Sequence, residues 1–233
     1  MTGVRHPVYL VRHGQSEWNV LRLTQGQTPH PRLTELGHSQ AAAAAELIAA
    51  DLAHQGLTAD RLLTSDLTRA VETADVIGSR LLLTAELEPR LREQHLGRLE
   101  GRSYEETWAA AEALDWTNAE APIEGGESLM AVLRRMADIV DGLAAEQVNV
   151  LVSHGESIRT VLAHLQGLAP NDAPWVEVPN GAVIRFDGEF AWLSRPDVAA
   201  ASVSGNPARW TPCSAWNSLT LTRPTLRTAA STP

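Results

Sequence analysis

One cysteine, Cys213, among 233 residues rules out an intrachain disulfide and any Cys-x-x-Cys metal or redox pair. Its expected role is structural or incidental rather than nucleophilic, and such scarcity suits a reducing compartment, so a cytoplasmic location is expected. No stretch approaches the ~20 apolar residues that span a bilayer, and the N-terminus lacks the long apolar core of a secretory signal. Positive charge is also short: 19 Lys+Arg stand against 28 Asp+Glu, a formal net charge of −9. That balance argues against a general nucleic-acid or anionic-membrane surface, although a local arginine cluster can still hold a small anionic substrate. A Walker-type glycine loop and a Gly-x-Ser-x-Gly elbow are both missing, which removes support for a nucleotide-driven motor and a serine hydrolase. The 8 histidines show no zinc-type spacing, so no metal or cofactor is expected. No internal repeat is found.

What is present begins with a hydrophobic content of 44%, enough for a substantial core in one α/β domain, with two small domains the alternative. Apolar runs read as buried parallel strands at Val8–Val11, Arg61–Ser65, Leu81–Ala85 and Val148–Ser153. Helical patterns separate them. Thr34 can cap a helix through Ala41–Ala45 to about Ala53, with Leu36, Leu47, Ile48 and Leu52 as its apolar stripe. A second helix runs from about Asp66 to Arg80, with Leu67, Ala70, Val71, Ala74 and Ile77 on one face. Others are expected over Ser103 to about Trp116, Glu127–Ala145 and Ser157–Gly167. Ala182–Phe186 and Phe190–Ser194, joined across Asp187-Gly188, read as a hairpin. The alternation predicts an α/β fold: a three-layer sandwich, its mostly parallel sheet covered by helices on both faces and ended by a C-terminal hairpin as edge strands. Residues 1–195 are read as one domain, with 102–126 as a lid. Residues 196–233, rich in Ser, Thr, Pro and Ala, are read as a tail partly packed through Trp210 and Trp216.

Several of these strands end in residues suited to phosphoryl transfer. The first ends in Arg12-His13-Gly14, the second is followed by Arg69, the third by Glu93, and the fourth ends in Ser153-His154-Gly155. In an open parallel sheet ligands bind beyond the carboxyl ends of the strands, so these residues could converge although far apart in sequence. An unprotonated imidazole can attack phosphorus, and a neighbouring guanidinium can bind phosphate oxygens and repel a proton from that imidazole. Gly14 would let the backbone turn close to the anion. The other reading of Arg12-His13-Gly14 is a strand-end pair facing solvent, and these three residues alone do not decide. Taken singly, Arg69 reads as a solvated helix arginine, His154 as a structural histidine and Glu93 as a solvated loop carboxylate.

Longer segments in fixed order carry more weight. They are Val11-Arg12-His13-Gly14-Gln15-Ser16-Glu17-Trp18-Asn19, Leu33–Ala41, Ser65–Ala74, Leu91-Arg92-Glu93-Gln94-His95-Leu96-Gly97-Arg98-Leu99-Glu100-Gly101, Gly125-Gly126-Glu127-Ser128 and Val152-Ser153-His154-Gly155. Together they resemble the histidine phosphatase superfamily, also called the phosphoglycerate mutase-like family, over roughly residues 7–190. The resemblance implies His13 as nucleophile, with Arg12, Arg69 and His154 holding the transferred phosphoryl group. It implies Glu93 as the acid for the leaving oxygen and then the base for water, with Asn19 and Gly155 as further phosphate contacts. The expected function is hydrolysis of a small phosphomonoester, a sugar phosphate or phosphoglycerate-like metabolite, through a phosphohistidine. A bell-shaped pH profile follows, with the acid limb from His13 and the other from Glu93.

Two rivals share this scaffold. A cofactor-dependent phosphoglycerate mutase returns the phosphoryl group to product, but such mutases carry a longer, basic, tyrosine-rich insertion after the catalytic glutamate. A non-catalytic phospho-ligand binding module would be expected to lack the nucleophile or the acid, and this chain keeps both. Trp108 and Trp116 are read as core anchors or as cleft lining. The acidic residues Glu105, Glu106, Glu112, Asp115 and Glu120 disfavour a second strongly anionic group on the substrate. Relatives of this kind are often dimers, so a homodimer is compatible with the resemblance, and the tail fits either an interface or packing on its own domain.

Overall fold

The computed structural model describes residues 6–113, 118–174 and 176–194, all within the unit Met1–Val203. Asp115, Trp116, Cys213 and the expected tail with Trp210 and Trp216 lie outside the described residues. Six strands form one sheet in the order β3-β2-β4-β1-β5-β6: β1 Val8–Arg12, β2 Arg61–Thr64, β3 Glu86–Leu87, β4 Asn149–Ser153, β5 Val183–Phe186 and β6 Phe190–Ser194. β1, β2, β3 and β4 run parallel; β5 lies antiparallel to β1, and β6 antiparallel to β5. The helices are α1 Glu17–Val20, α2 Glu35–Gln55, α3 Thr68–Leu81, α4 Tyr104–Glu112, α5 Leu129–Asp141 and α6 Gly155–Leu165. Among the described residues, no helix is long and apolar enough to cross a membrane.

Strand side chains alternate between two cores, which is why the central strands read as unbroken apolar runs. Tyr9 and Val11 of β1 and Val150 and Val152 of β4 pack with Ala44, Ala45, Ile48 and Leu52 of α2 and Ala70, Ala74 and Ile77 of α3. Leu10 and Leu151 point the other way, into Val132, Met136, Ile139 and Val140 of α5 and Ile158 and Val161 of α6. The expected layers are therefore present. Burying a side chain such as Met136, which is 0% exposed, is worth about 2–5 kcal/mol as judged by truncation to Ala.

Local chemistry sets the helix starts. Thr34 caps α2 through the Gly37 amide, Ser103 and Glu106 form a capping box on α4, and Ser128 caps α5. Two expectations are corrected. Leu36 is 52% exposed, and α2 buries an alanine face (Ala41, Ala44, Ala45) around Ile48 and Leu52, which brings it close to α3. The Leu81–Ala85 run is not a strand. α3 continues through Leu81, Leu82 ends it in the left-handed region at φ 59°, and the edge strand is Glu86–Leu87, whose residues are both exposed. Within the stretch read as a polar loop, Gln15 to Arg32, Ser16 starts the short α1 through a capping box with Asn19.

Candidate active site

β1 and β4 are in register, Arg12 opposite Ser153, so the residues that follow them are neighbours at the carboxyl edge of the sheet. The His13 amide continues the ladder to the Ser153 carbonyl at 3.0 Å. His13 is 2% exposed, which overturns the solvent-facing reading of the Arg-His pair. Its Nδ1 lies 2.7 Å from the Gly14 carbonyl. A carbonyl can only accept, so Nδ1 carries the proton and Nε2 presents a lone pair. Burial, then the charges of Arg69 and Arg12, hold the His13 pKa well below its usual 6.5. Gly14 serves a different need from the one the sequence suggests. A Cβ there would stand 2.2 Å from the Gly37 carbonyl oxygen, so two glycines let the loop after β1 and the first turn of α2 meet backbone to backbone.

His154 stands beside His13 with ring centroids 5.1 Å apart and planes at 60°. It is fully buried, and its Nε2 lies 2.9 Å from the Ser65 hydroxyl at the end of β2. Burial and the neighbouring Arg69, His13 and Arg12 keep its pKa well below 6.5. Arg69, in the first turn of α3, is 1% exposed, so it is not a solvated helix arginine. It donates from Nη1 to the Thr28 carbonyl at 3.0 Å and from Nη2 to that of Gly26 at 2.8 Å. Arg12 donates to the Val178 carbonyl. Three buried nitrogens, the Nε of Arg12, the Nε of Arg69 and the Nδ1 of His154, have no hydrogen-bond partner among the described residues. Burial lowers the Arg69 pKa to about 10 against the pull of Glu93, and lowers that of Arg12 against the same carboxylate. Buried cations with spare N–H groups are what a phosphoryl group requires of a protein.

Glu93 is held as the cap of α6. Its Oε1 accepts from the Gln94 and Ser157 amides at 2.9 and 3.2 Å and its Oε2 from the Glu156 amide at 3.3 Å, where the N-cap His154 supplies no side-chain cap. The Glu93 loop is fixed from behind by Arg135 of α5. Its Nη1 donates to the Arg90 and Arg92 carbonyls at 2.6 and 2.7 Å, its Nη2 to that of Glu93 at 3.0 Å, and its Nε to Glu127 at 2.9 Å. Gln27 donates to the Glu93 carbonyl at 3.0 Å, and the hydroxyls of Ser153 and Ser157 hold the Leu91 and Arg92 carbonyls, each at 2.7 Å. Glu93 is thus not a free loop carboxylate.

Asn19 and Gly155 also lie in this region. The side-chain amide of Asn19 donates to the Tyr104 hydroxyl at 3.3 Å, which links the loop after β1 to the start of α4. Gly155 opens α6 beside Arg12, and a Cβ there would be 3.6 Å from the guanidinium, an ordinary contact. Sequence reasoning missed Ser65, Thr73, Arg135, Arg159 and Asn180. Thr73 accepts from the Gly14 amide at 3.1 Å. Arg159, paired with Glu156, has its pKa lowered to about 10 by burial, with Glu93 opposing and Arg12 adding. Ser65 and Thr73 lie within the Ser65–Ala74 segment but were not singled out from it, and Arg159 falls one turn into the helix after His154; Arg135 and Asn180 reach carbonyls 43 and 167 residues away, so no local pattern marks them.

The lid reading changes in two respects. Trp108 is 52% exposed, so it is no core anchor. Glu105, Glu106 and Glu120 pair with Arg22, Arg102 and Arg134, so most of the segment's described negative charge is matched, which weakens the argument against a second anionic group on the substrate. Among the described residues no cluster of three or more His, Cys, Asp or Glu could hold a metal ion.

Comparison with known proteins places the chain in a family. The chain is 36% identical over 197 residues to "Probable phosphoglycerate mutase GpmB" of Yersinia pestis (strain Pestoides F), covering 80% of this chain and 87% of that protein. Among solved structures, "Mycobacterial hydrolase 1" matches with TM-score 0.67 and 32% identity over 77% of this chain and 90% of the other. Mycobacterial glucosyl-3-phosphoglycerate phosphatase in complex with VO3 matches with TM-score 0.66 and 30% identity over 80% and 96%. The model of the histidine phosphatase superfamily (branch 1) matches residues 8–190, the span that holds every side chain described above. This chain therefore belongs to the histidine phosphatase superfamily, branch 1.

Proposed function

We propose that the protein is a phosphomonoesterase that needs no metal and works through a phosphohistidine on His13. The observation that carries this reading is the state of His13: a buried imidazole with its Nδ1 proton engaged by Gly14, among Arg12, Arg69 and His154. In the first step the Nε2 lone pair attacks phosphorus in line, and the bond to the leaving oxygen breaks as that oxygen takes a proton from the Glu93 carboxylic acid. In the second step the Glu93 carboxylate takes a proton from water, the hydroxide forms a bond to phosphorus, and phosphate leaves His13. Arg12, Arg69 and His154 supply donors around the oxygens of the transferred group, with Asn19 and the Gly155 amide as further contacts.

Hydrolysis is favoured over return of the phosphoryl group to product. About thirty residues separate Glu93 from Gly126, and they lack the basic, tyrosine-rich insertion of cofactor-dependent mutases. The substrate class is a small phosphorylated metabolite, a sugar phosphate or a phosphoglycerate derivative, in keeping with the names of the similar mutase and phosphatase.

The test is a panel of phosphomonoesters with His13→Ala as the blank. Wild type is expected to release inorganic phosphate and to yield an acid-labile phosphoenzyme on rapid quench. His13→Ala is expected to lose at least about 10³-fold in kcat and to yield no phosphoenzyme. Turnover retained in His13→Ala removes the nucleophile. Isomerised phosphoester in place of free phosphate identifies a mutase.

A further inference from the structure

The turn before β5 meets the nucleophile loop through three residues, Val178, Asn180 and Gly181. The Val178 carbonyl accepts from the Arg12 guanidinium, and the Gly181 amide reaches the Arg12 and His13 carbonyls at 3.2 and 3.1 Å. The Nδ2 of Asn180 lies 3.1 Å from the His13 carbonyl, 3.4 Å from the Gly14 carbonyl and 3.3 Å from the Oδ1 of Asn19. Gly181 can aim its amide this way because its φ is +73°, a conformation that side chains disfavour.

The orientation of both amides is fixed by their neighbours. Carbonyl oxygens only accept, so the group of Asn180 that faces His13 and Gly14 must be its NH2. The Ser16 backbone amide only donates, so the atom of Asn19 that faces it at 2.9 Å must be Oδ1. Ser16 Oγ at 2.9 Å and Asn180 Nδ2 also donate to that oxygen. Asn19 is thus held with its NH2 turned away from Ser16; one N–H reaches the Tyr104 hydroxyl, and the proposed function gives the other to a phosphoryl oxygen. Asn180 is the residue that ties this orientation to the backbone of the nucleophile itself.

We propose that Asn180 is a positioning residue for phosphoryl transfer, acting through Asn19 and the His13 backbone without touching the phosphoryl group. The inference rests on His13 being the nucleophile. It predicts that the residue matters more for the transition state than for bound phosphate, because small misplacements of His13 and Asn19 are felt most where reacting atoms must align.

The experiment compares wild type, Asn180→Ala, Asn180→Asp, Asn19→Ala and the Asn19→Ala/Asn180→Ala double variant. It uses p-nitrophenyl phosphate turnover, inhibition by orthovanadate and by inorganic phosphate, and thermal unfolding. Asn180→Ala is expected to lose about 10–100-fold in kcat with KM within about threefold of wild type. Vanadate inhibition should weaken by a similar factor while phosphate inhibition stays within about threefold. The double variant should be no more than about threefold worse than Asn19→Ala alone, since the two act as one unit. Asn180→Asp keeps the shape but sets acceptors against acceptors, so it should lose at least as much as Asn180→Ala. It is the arbiter if the alanine variant unfolds. Wild-type kcat in either folded variant, losses that multiply in the double variant, or equal weakening of phosphate and vanadate overturn the assignment. Turnover abolished in His13→Ala but untouched in Asn180→Ala overturns this inference alone. Wild-type turnover that survives His13→Ala overturns the underlying reading and this inference with it.

Discussion

His13, Arg69 and His154 are 2%, 1% and 0% exposed, whereas no residue of α4 is buried and Trp108 on that helix is 52% exposed. The two regions touch through Tyr104 and Asn19, yet they handle charge in opposite ways. At the strand ends, cations are withdrawn from water and meet backbone carbonyls. Carboxylates of the segment 102–126 pair in solvent with cations that flank it in the fold, Glu105 with Arg22 and Glu124 with Arg98. Buried unpaired charge costs stability and persists where function needs a field, whereas solvent-exposed pairs contribute little to either. On the proposed function the chemistry is concentrated in the cradle, and the segment 102–126 is free to vary with the substrate.

The sharpest way to break that contrast is to remove cradle charge while keeping volume. Arg69→Met is expected to lower kcat/KM by about 10²–10³-fold, the size of losing a preorganised transition-state donor, with unfolding as cooperative as in wild type. Steady-state kinetics and a denaturant titration check both parts; activity within about tenfold of wild type would take the field away from Arg69. A smaller effect comes from the backbone beneath it. Gly14→Ala forces a Cβ to 2.2 Å from the Gly37 carbonyl, so it should cost about 1–3 kcal/mol of stability and move His13. Gly155→Ala places its Cβ at 3.6 Å from Arg12 and should leave the midpoint of unfolding unchanged. Equal tolerance of both alanines would mean the nucleophile loop is not held by close packing.

How much of this could be read from the sequence differs between the same regions. β1 and β4 are buried on both faces, so their apolar runs marked them, and the chemistry follows at their ends. The cap at Thr34 and the closing hairpin were equally legible, because each is a local signal. β3 was not. Its two residues are exposed and are recruited by pairing Glu86 with Leu63 and Leu87 with Thr64, while Leu81–Leu83 looks more like a strand than it is. Likewise His13 and His154 stood out beside glycines at strand ends, whereas Asn180 and Arg135 did not. Asn180 is 167 residues from the carbonyl it holds, and only the antiparallel return of β5 brings it there. Short-range patterns report strands and caps; supports that arrive by topology leave no trace in them.

Acid should separate the regions again. His13 and His154 have pKa values depressed well below 6.5 in the folded state and ordinary ones when unfolded. Below about pH 6.5 the unfolded chain therefore binds more protons, so stability is complete above that pH and falls as pH drops, by up to about 1.4 kcal/mol per unit for each histidine. Denaturant titrations between pH 7 and pH 5 should show a slope shallower by about one proton in His154→Gln. An unchanged slope would mean His154 is already protonated in the native protein. The same depression keeps His13 neutral into mild acid, so the acid limb of kcat/KM should lie below 6.5.

The smallest expected effect lies at the boundary. Arg22 and Glu105 form a 2.7 Å pair whose side chains are 47% and 67% exposed, and water screens it in the folded state as it would the separate groups. Glu105→Ala should therefore leave both the unfolding midpoint and kcat where they are. Arg22→Ala removes more, because the guanidinium also stands over the Tyr104 ring, 5.4 Å from its centroid, and the Tyr104 hydroxyl receives the Asn19 amide. If the lid only borders the cradle, Arg22→Ala should change KM for bulky phosphomonoesters and spare kcat for p-nitrophenyl phosphate. A loss of kcat with the small substrate in Arg22→Ala, absent in Glu105→Ala, would show the lid's order reaching the phosphoryl group along Arg22, Tyr104 and Asn19. The two regions would then be one device.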